Sequence, residues 1–600
     1  MWFEPLQTRY AFAALQNFDL PCDVDGSGLV SSVDALVVID TINRSSQSNH
    51  QPALVQSGRL FLDVDGDGQI TPLDPLLVID ALNRNQRPLT LAASVDPSDD
   101  PNFNGVVLAP EITIQGQTSP FAQIRFNRVA TSVPPSESFL KVSSNGNGMF
   151  RLNVPLSSGE NAFVIEVRDE LGRRTNLSKS WYHGDIVADW NATMLNAVRD
   201  WTGLSNDPYP NRIVPSRPPI VTRNLAMVQA AMFDAGNAVE SRFSPYLDNL
   251  PRDSSASAIA AMATAAHGIA IQLYSDRDET PVFDATLAAS LALVPDGEAK
   301  TRGIALGREV SRRMLAARAT DGSTTPSNYI PSGQVGKWNR TEPDFTPPEL
   351  PQWKNVKPFG LPSLSALSVS SPPSLESSEY ASAVDEVMRL GRIDSSERTA
   401  DQTAIAKFWA DGAGTATPPG HWNRIATDIL MAQNGSLLEN ARTLALLNIS
   451  LADAAIAAWD IKYSLEVWRP IHAIRRADQD GNDLTVQDAS WAPYLKTPAH
   501  PSYVSGHSMF SAAAATVLTH VFGDSISFTS STDPLSGLTQ RPLAPELIST
   551  RTYASFWQAA EEAGRSRIYG GIHFSFDNTD GLELGKAVGE LIVGSWLKPV

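Results

Sequence analysis

Three regimes of apolar and polar spacing succeed one another along the chain. Near the N terminus an acidic loop runs twice into a short apolar helix pattern, DALVVIDTINR and DPLLVIDALNR, at an offset of forty residues. Repetition at a fixed period marks a duplicated unit. Further on the alternation has period two. Phe150, Leu152 and Val154 form one such run and Phe163, Ile165 and Val167 another, with turn signals at Ser157-Ser158-Gly159 and from Asp169 to Gly172. That spacing predicts strands with one buried face. In the last quarter the pattern turns helical and Ala-rich, as in SMFSAAAATVLTHVF after His507. The segment from Val95 to Asn104, rich in Pro, Ser and Asp, reads as a linker. These shifts predict three regions, 13–92, 103–183 and 185–600.

Composition narrows the picture. With 600 residues several domains are expected, and the last region alone is long enough to bury a large core. A net charge of -18 argues against a nucleic-acid partner, whose phosphates it would repel. A single cysteine, Cys22, excludes an internal disulfide. No uninterrupted apolar run of about twenty residues is present, so no transmembrane segment is expected. Even the Ala-rich run after Ser257 carries Thr264, His267 and Gln272. MWFEPLQTRY shows neither a basic leader nor an apolar signal core.

Candidate chemistry concentrates in three segments, KYSLEVWRP from Lys462, SGH from Ser505 and SRIYGGIHFSFD from Ser566. Lys462 and Arg469 are seven residues apart, which predicts one face of a helix that Pro470 ends. Ser505-Gly506-His507 opens a helix whose first turn would offer unpaired N–H groups to an anion. Arg567 and His573 flank Gly570-Gly571, and Asp577 is placed to fix the His573 tautomer. A point-charge lysine, two planar arginine forks and backbone donors together suit a tetrahedral oxyanion. Taken singly, such a Lys or Arg is ordinarily a solvated charge or a helix-end cation, and His472 and His520 read as satisfied core residues.

In combination the segments resemble the superfamily that unites the vanadium-dependent haloperoxidases, the type 2 phosphatidic acid phosphatases and the bacterial acid phosphatases. Its signature is Lys, six residues, Arg-Pro; then Pro-Ser-Gly-His; then Ser-Arg, five residues, His, three residues, Asp. The first and third elements are complete here, and Val504 replaces the proline of the second. The resemblance implies an all-α helical-bundle catalytic domain. It implies that Lys462, Arg469, Ser505, Gly506 and Arg567 hold the oxyanion, that His573 bonds vanadium, and that His507 acts as acid and base.

One cage serves two chemistries, because five-coordinate vanadate resembles the transition state of phosphoryl transfer. In a haloperoxidase, hydrogen peroxide oxidises halide to hypohalous acid, which halogenates a small organic acceptor, and Lys462 polarises the peroxide. In the alternative, an acid phosphatase, His573 attacks phosphorus to give a phosphohistidine and His507 protonates the leaving group. The length of the last region, and the segments RNLAMVQAAMFDAGNAV and FWADGAGTATPPGHWNRIA, resemble bacterial vanadium haloperoxidases. Trp459 is similar to a tryptophan of fungal chloroperoxidases and His500 to a histidine of algal bromoperoxidases. Bromide is the favoured halide, with iodide accepted. Asp411 is a candidate carboxylate behind Arg567 or His507, or else a turn residue before Gly412.

The N-terminal loops DVDGSGLVSSVD and DVDGDGQITPLD put oxygen side chains at positions 1, 3, 5 and 12 and Gly at 6. The candidate calcium ligands are Asp23, Asp25, Ser27 and Asp34, and Asp63, Asp65, Asp67 and Asp74. The other reading is a pair of solvated acidic turns. Aspartate at position 12, the short helices and the pairing resemble a dockerin module. That resemblance implies bound calcium and a cohesin-type protein partner. The β region resembles an immunoglobulin-like sandwich used as a spacer. Low-affinity calcium modules suit the calcium-rich exterior, so a secreted or cell-surface protein is expected.

Overall fold

The fold is that of a computed structural model, which describes residues 17, 22–27, 30–47, 60–65, 69–84, 89–101, 104–128, 140–169, 172–202, 217–274, 280–412, 414–433, 435–533, 535–536, 541–542 and 549–600. Two compact units emerge, one of residues 1–100 and 109–183, the other of 101–108 and 184–600.

In the first unit the duplicated patterns become helices α1 (Ser32–Gln47) and α2 (Leu73–Arg84). Their apolar faces meet in a small core of Cys22, Val24, Val38, Val64, Val78 and Ala81. The strands that follow are β1 (Ala92–Val95), β2 (Glu111–Gln117), β3 (Gln123–Arg128), β4 (Leu140–Ser143), β5 (Met149–Pro155), β6 (Gly159–Arg168) and β7 (Arg174–His183). One antiparallel sheet has the order β1-β2-β5, and another runs β7-β6-β3-β4. The period-two residues Phe150, Val154, Phe163, Ile165 and Val167 are buried, and Phe126 of one sheet meets Phe150 of the other edge-on at 6.3 Å. The expected linker is corrected in part. Val95 ends a paired strand, Asp96 donates its N–H to Thr113 O at 2.8 Å, and Asp99 accepts from Thr113 N–H at 2.6 Å. Ordered hydrogen bonding thus begins before residue 103.

The second unit is helical: α3 (Ile186–Thr202), α4 (Pro218–Glu240), α5 (Ala258–Leu273), α6 (Thr280–Ala292), α7 (Glu298–Arg318), α8 (Ser378–Leu390), α9 (Ala400–Phe408), α10 (Thr417–Gln433), α11 (Leu437–Leu465), α12 (Pro470–Arg475), α13 (Gly506–Phe522), α14 (Phe556–Tyr569) and α15 (Ser575–Ser595). At its centre α11 packs against α4 and α13, and α13 against α14 and α15. Close approach of α15 to α13 depends on Gly581, Gly585 and Gly589, one per turn. A Cβ at Gly585 would lie 2.4 Å from Met509 O. By length and composition α11 is apolar enough to cross a membrane, yet 94% of its most apolar window is buried in this unit. At its middle Asp453 accepts the N–H groups of Phe359, Gly360 and Leu361 at 2.6, 2.7 and 2.6 Å, a polar anchor that suits a protein core.

Candidate active site

Lys462 lies in the last turn of α11 and is fully buried. The helix stops at Leu465 because Glu466 takes the left-handed conformation (φ 56) and its N–H returns to Lys462 O. Pro470 therefore does not end the helix of Lys462, as its position suggested. It sits at the first turn of the separate helix α12, where its missing N–H costs nothing, and Arg469 is the N-cap of α12. The two cations therefore belong to successive helices and do not share one helical face.

The three donors of Lys462 Nζ go to the backbone carbonyls of Pro501 (2.9 Å), Ser502 (2.8 Å) and Val504 (2.5 Å). The lysine thus fixes the loop that leads into α13. Burial first, and then the charge of Arg469, lowers its pKa well below the ordinary value. At the end of that loop Ser505 caps α13, its hydroxyl accepting from Ser508 N–H at 3.3 Å. The N–H groups of Gly506 and His507, next in line, meet no acceptor among the described residues. His507 is partly buried, and its Nε2 lies 3.1 Å from Trp409 O. A carbonyl only accepts, so Nε2 carries the proton and Nδ1 holds the lone pair. Burial and the charge of Arg567 hold this imidazole well below its ordinary pKa.

The third segment turns at Gly570-Gly571. Gly571 has φ 76, and a Cβ there would lie 2.3 Å from Gly391 O. Before the turn, Arg567 is buried on α14. Its Nε donates to Ser566 Oγ (2.8 Å) and its Nη2 to Ala406 O (3.1 Å), while Nη1 meets no acceptor among the described residues. After the turn, His573 Nδ1 lies 2.8 Å from Asp577 Oδ2, which also accepts from Ser502 Oγ and from Phe574 N–H. The carboxylate places the His573 proton on Nδ1. Nε2 is left with its lone pair directed at Arg469, whose Nη1 donates to it at 3.1 Å. Arg469 also donates from Nη1 to Ile572 O (2.8 Å), from Nε to His500 O (2.8 Å) and from Nη2 to His500 Nδ1 (2.9 Å). Burial and Arg469 keep His573 neutral, its pKa far below the usual range. Burial pushes Asp577 up to about 6.

Around this centre the Trp459 and His500 rings lie 4.9 Å apart, and the Trp459 indole donates to Glu349 O at 3.1 Å. Asp411 bonds neither Arg567 nor His507. It pairs with His421, whose Nδ1 is 3.1 and 3.2 Å from its two oxygens. His472 is partly buried with Nδ1 unpaired, and His520 is exposed in the last turn of α13 rather than in the core. Sequence reasoning passed over Ser502, which bonds Asp577, and over Trp409 and His421. Only the proximity of FWADG to GHWN hinted at the last two.

The group has a charge imbalance. Lys462, Arg469 and Arg567 are buried cations, against Asp577 beside the first two and Asp411 acting on the third. Burial lowers both guanidinium groups to about 10, a measure of what desolvation costs them. A tetrahedral oxyanion offsets that excess positive charge. The unpaired donors at Gly506, His507 and Arg567, together with a neutral nitrogen acceptor at His573, fit vanadate: hard oxygens meet N–H groups and the metal meets imidazole.

In the first unit, carboxylate oxygens of Asp23, Asp25 and Asp34 lie within 4.8 Å of one another, as do those of Asp63, Asp65 and Asp74. Asp34 closes its loop by accepting from the N–H groups of Val24 (2.8 Å), Asp25 (3.0 Å) and Ser31 (2.7 Å). Asp74 does the same with Val64 and Thr71, both at 2.7 Å. Ser27 Oγ lies 3.4 Å from Asp23 Oδ1. Asp67 lies outside the described residues.

Residues 442–599 match the family described as the VCPO second helical-bundle domain, and residues 21–83 match the dockerin type I domain. The vanadium chloroperoxidase of Curvularia inaequalis is 27% identical over an alignment that covers 35% of this chain and 43% of that protein. The chain thus spans less than half the length of this curated relative. A solved bacterial vanadium-dependent iodoperoxidase is 26% identical with a TM-score of 0.54, covering 68% of this chain and 97% of its own. A holo-type bacterial vanadium-dependent chloroperoxidase shares the fold at TM-score 0.51 and 17% identity, covering 66% of this chain and 96% of its own. The chain therefore carries a second helical-bundle domain of the vanadium chloroperoxidase type and an N-terminal dockerin type I domain.

Proposed function

We propose that the second unit is a vanadate-dependent haloperoxidase that oxidises halide, bromide in preference and iodide as well, with hydrogen peroxide, and so halogenates small organic acceptors. The observation that carries this reading is the His573 Nε2 lone pair, fixed by Asp577 and facing the buried Arg469. Vanadate held there supplies a Lewis-acidic centre that activates peroxide toward halide without changing its own oxidation state.

In this reading Arg469, Arg567, the Ser505 hydroxyl and the Gly506 N–H hold the oxyanion, and His573 supplies the nitrogen donor. Arg469 Nη1 already donates to two acceptors and Nη2 to a third, so it gives up or shares the His573 contact when an anion arrives. His507 takes the peroxide proton at Nδ1 while Nε2–H stays on Trp409 O. A bound anion counteracts the charge of Arg567 and brings the His507 pKa back toward the working range. Lys462 contributes positive charge and holds the 501–504 loop. To donate directly it must release one of its three carbonyls. Trp459 and His500 form the candidate halide side.

The phosphatase reading uses the same cage, with His573 as nucleophile. The haloperoxidase reading is favoured by the breadth of the match to the iodoperoxidase. One vanadate-free preparation, assayed for phosphate-ester hydrolysis and then for bromination after addition of vanadate and peroxide, separates the two. Bromination only after addition supports the reading; hydrolysis alone overturns it.

For the first unit the proposal is a calcium-bound dockerin-like module that docks on a cohesin-type partner, followed by an immunoglobulin-like β spacer, in a protein exported to the cell surface or beyond. The proposed regions are 13–92, 103–183 and 185–600, except that the spacer starts at the strand Ala92–Val95, which pairs with Glu111–Gln117, and the first region ends before it. Calcium titration of the full chain should show two sites. Binding of none overturns the metal assignment.

A further inference from the structure

The sheet β7-β6-β3-β4 in the first unit gathers positive charge on its outer face, and the pairing register shows how. One row across the four strands reads Arg174, Arg168, Gln123, Ser143, and a second reads Asn176, Glu166, Arg125, Lys141. The residues that alternate with them, Ile124, Phe126, Ile165 and Val167, are buried in the core, so both rows face away from it. Four cations thus stand against one carboxylate, Glu166.

Arg168 and Arg174 are direct cross-strand partners, and so are Arg125 and Lys141. Like charges placed directly opposite destabilise a sheet. In these rows opposite charges meet only at Arg125 and Glu166. Gln123, Arg125, Glu166, Arg168, Arg174 and Asn176 line one cavity of about 230 Å³. Arg168 is half-buried, and its Nε, sealed from solvent, meets no acceptor among the described residues. A desolvated donor without a partner costs free energy that a bound anion would offset.

At a strand spacing of about 4.8 Å the rows extend over roughly 14 Å. That length suits a chain with repeated anionic groups rather than a single ion. Neither row holds an aromatic ring on which a base could stack, whereas Gln123, Ser143 and Asn176 offer amide and hydroxyl groups to sugar hydroxyls. The net charge of -18 on the whole chain does not oppose such a partner, because exposed charges are screened beyond about 8 Å at physiological ionic strength.

The geometry points to this sheet face as a binding surface for an acidic polysaccharide, whose sulfate or carboxylate groups lie between the like-charged pairs of β6 with β7 and β3 with β4. The surface is independent of the oxyanion cage in the second unit.

The test uses the full chain, with dextran sulfate and polygalacturonate as probes, neutral dextran and single-stranded DNA as comparisons, and calorimetry over a series of NaCl concentrations. Binding of dextran sulfate alone identifies sulfate esters as the ligand groups, and binding of polygalacturonate alone identifies carboxylates. Arg168→Gln combined with Arg174→Gln should weaken the bound polymer about tenfold or more, and lower the slope of log affinity against log salt by about one for each arginine. Glu166→Gln should bind more tightly, a gain that damage to the fold does not produce. Arg312→Gln with Lys586→Gln removes the same charge from the second unit and should bind as the wild type does. The proposal is overturned if neither acidic polymer binds, if neutral dextran binds equally well, or if single-stranded DNA binds at least as tightly. It is overturned too if R168Q with R174Q is no weaker than R312Q with K586Q.

Discussion

Replacement of Asp577 by Asn probes how the site tells vanadate from phosphate. The carboxylate accepts the His573 Nδ1 proton at 2.8 Å and lies beside two buried cations, Lys462 and Arg469. Asparagine changes two things in opposite senses. It removes a negative charge from the cage, which favours any anion. It also weakens the acceptor that fixes the imidazole tautomer, replacing a carboxylate oxygen with a neutral amide oxygen; where the amide nitrogen faces Nδ1 instead, the proton moves to Nε2 and the donor lone pair is lost. A hydrogen bond to a charged group is worth about 1.5–3 kcal/mol, or roughly ten- to a hundredfold in affinity. Only vanadate draws on the Nε2 lone pair in its bound ground state. D577N should therefore lower vanadate affinity by about ten- to a hundredfold, while phosphate affinity stays level or rises. Both are measured by equilibrium dialysis on the vanadate-free chain, with thermal unfolding run alongside because the unbalanced cations cost stability. Equal changes for the two anions, or an unchanged ratio, would refute the tautomer argument.

Other outcomes follow from the same geometry. His573→Ala should abolish both vanadate retention and halide oxidation; a variant that brominates at full rate removes His573 from the ligand set. Lys462→Met should cost about 10² to 10³ in rate, and destabilise by about 1–3 kcal/mol for each of the three carbonyls it orphans, seen as a lower Tm; a near-normal rate excludes Lys462 from the chemistry. His500 is buried, and its pKa is held well below 6.5, by desolvation first and then by Arg469. Its contribution to stability is therefore full above pH 6.5 and is lost as the pH falls, since the unfolded chain takes up the proton that the folded one refuses. His500→Gln should flatten the stability profile below pH 6.5 by up to one proton, about 1.4 kcal/mol per pH unit; an unchanged slope in denaturant melts would contradict the burial argument. Asp34→Ala combined with Asp74→Ala should abolish calcium binding measured by calorimetry, whereas retained binding would reassign the ligands.

The local chemistry was more legible in the sequence than its assembly. Motif spacing singled out Lys462, Arg469, His507, Arg567, His573 and Asp577 as candidates, and their local turns are set by their own neighbours: Ser505 caps a helix and Gly571 permits a reversed bend. The route between Lys462 and Arg469 was misread. Proline at 470 is compatible with either end of a helix, and nothing local marks Glu466 as a left-handed cap. Partners distant in the chain were beyond reach for a related reason. Asp411 was seen as a carboxylate near the site, but its choice of His421 over Arg567 is decided by packing under Trp409. The role of Ser502 depends likewise on a loop pinned by Lys462. In the first unit the period-two runs were readable, while the ordered turn after β1 depends on pairing with β2, a contact that no local pattern announces.

The central claim is that an imidazole kept neutral by burial and Arg469, its tautomer fixed by Asp577, binds orthovanadate. A crystal structure of the full chain soaked in orthovanadate tests it most directly. The account predicts density for the ion bonded to His573 Nε2, with oxygens in reach of Arg469, Arg567 and the Gly506 N–H. A well-ordered site without such density, or with the ion bound away from His573, would contradict it.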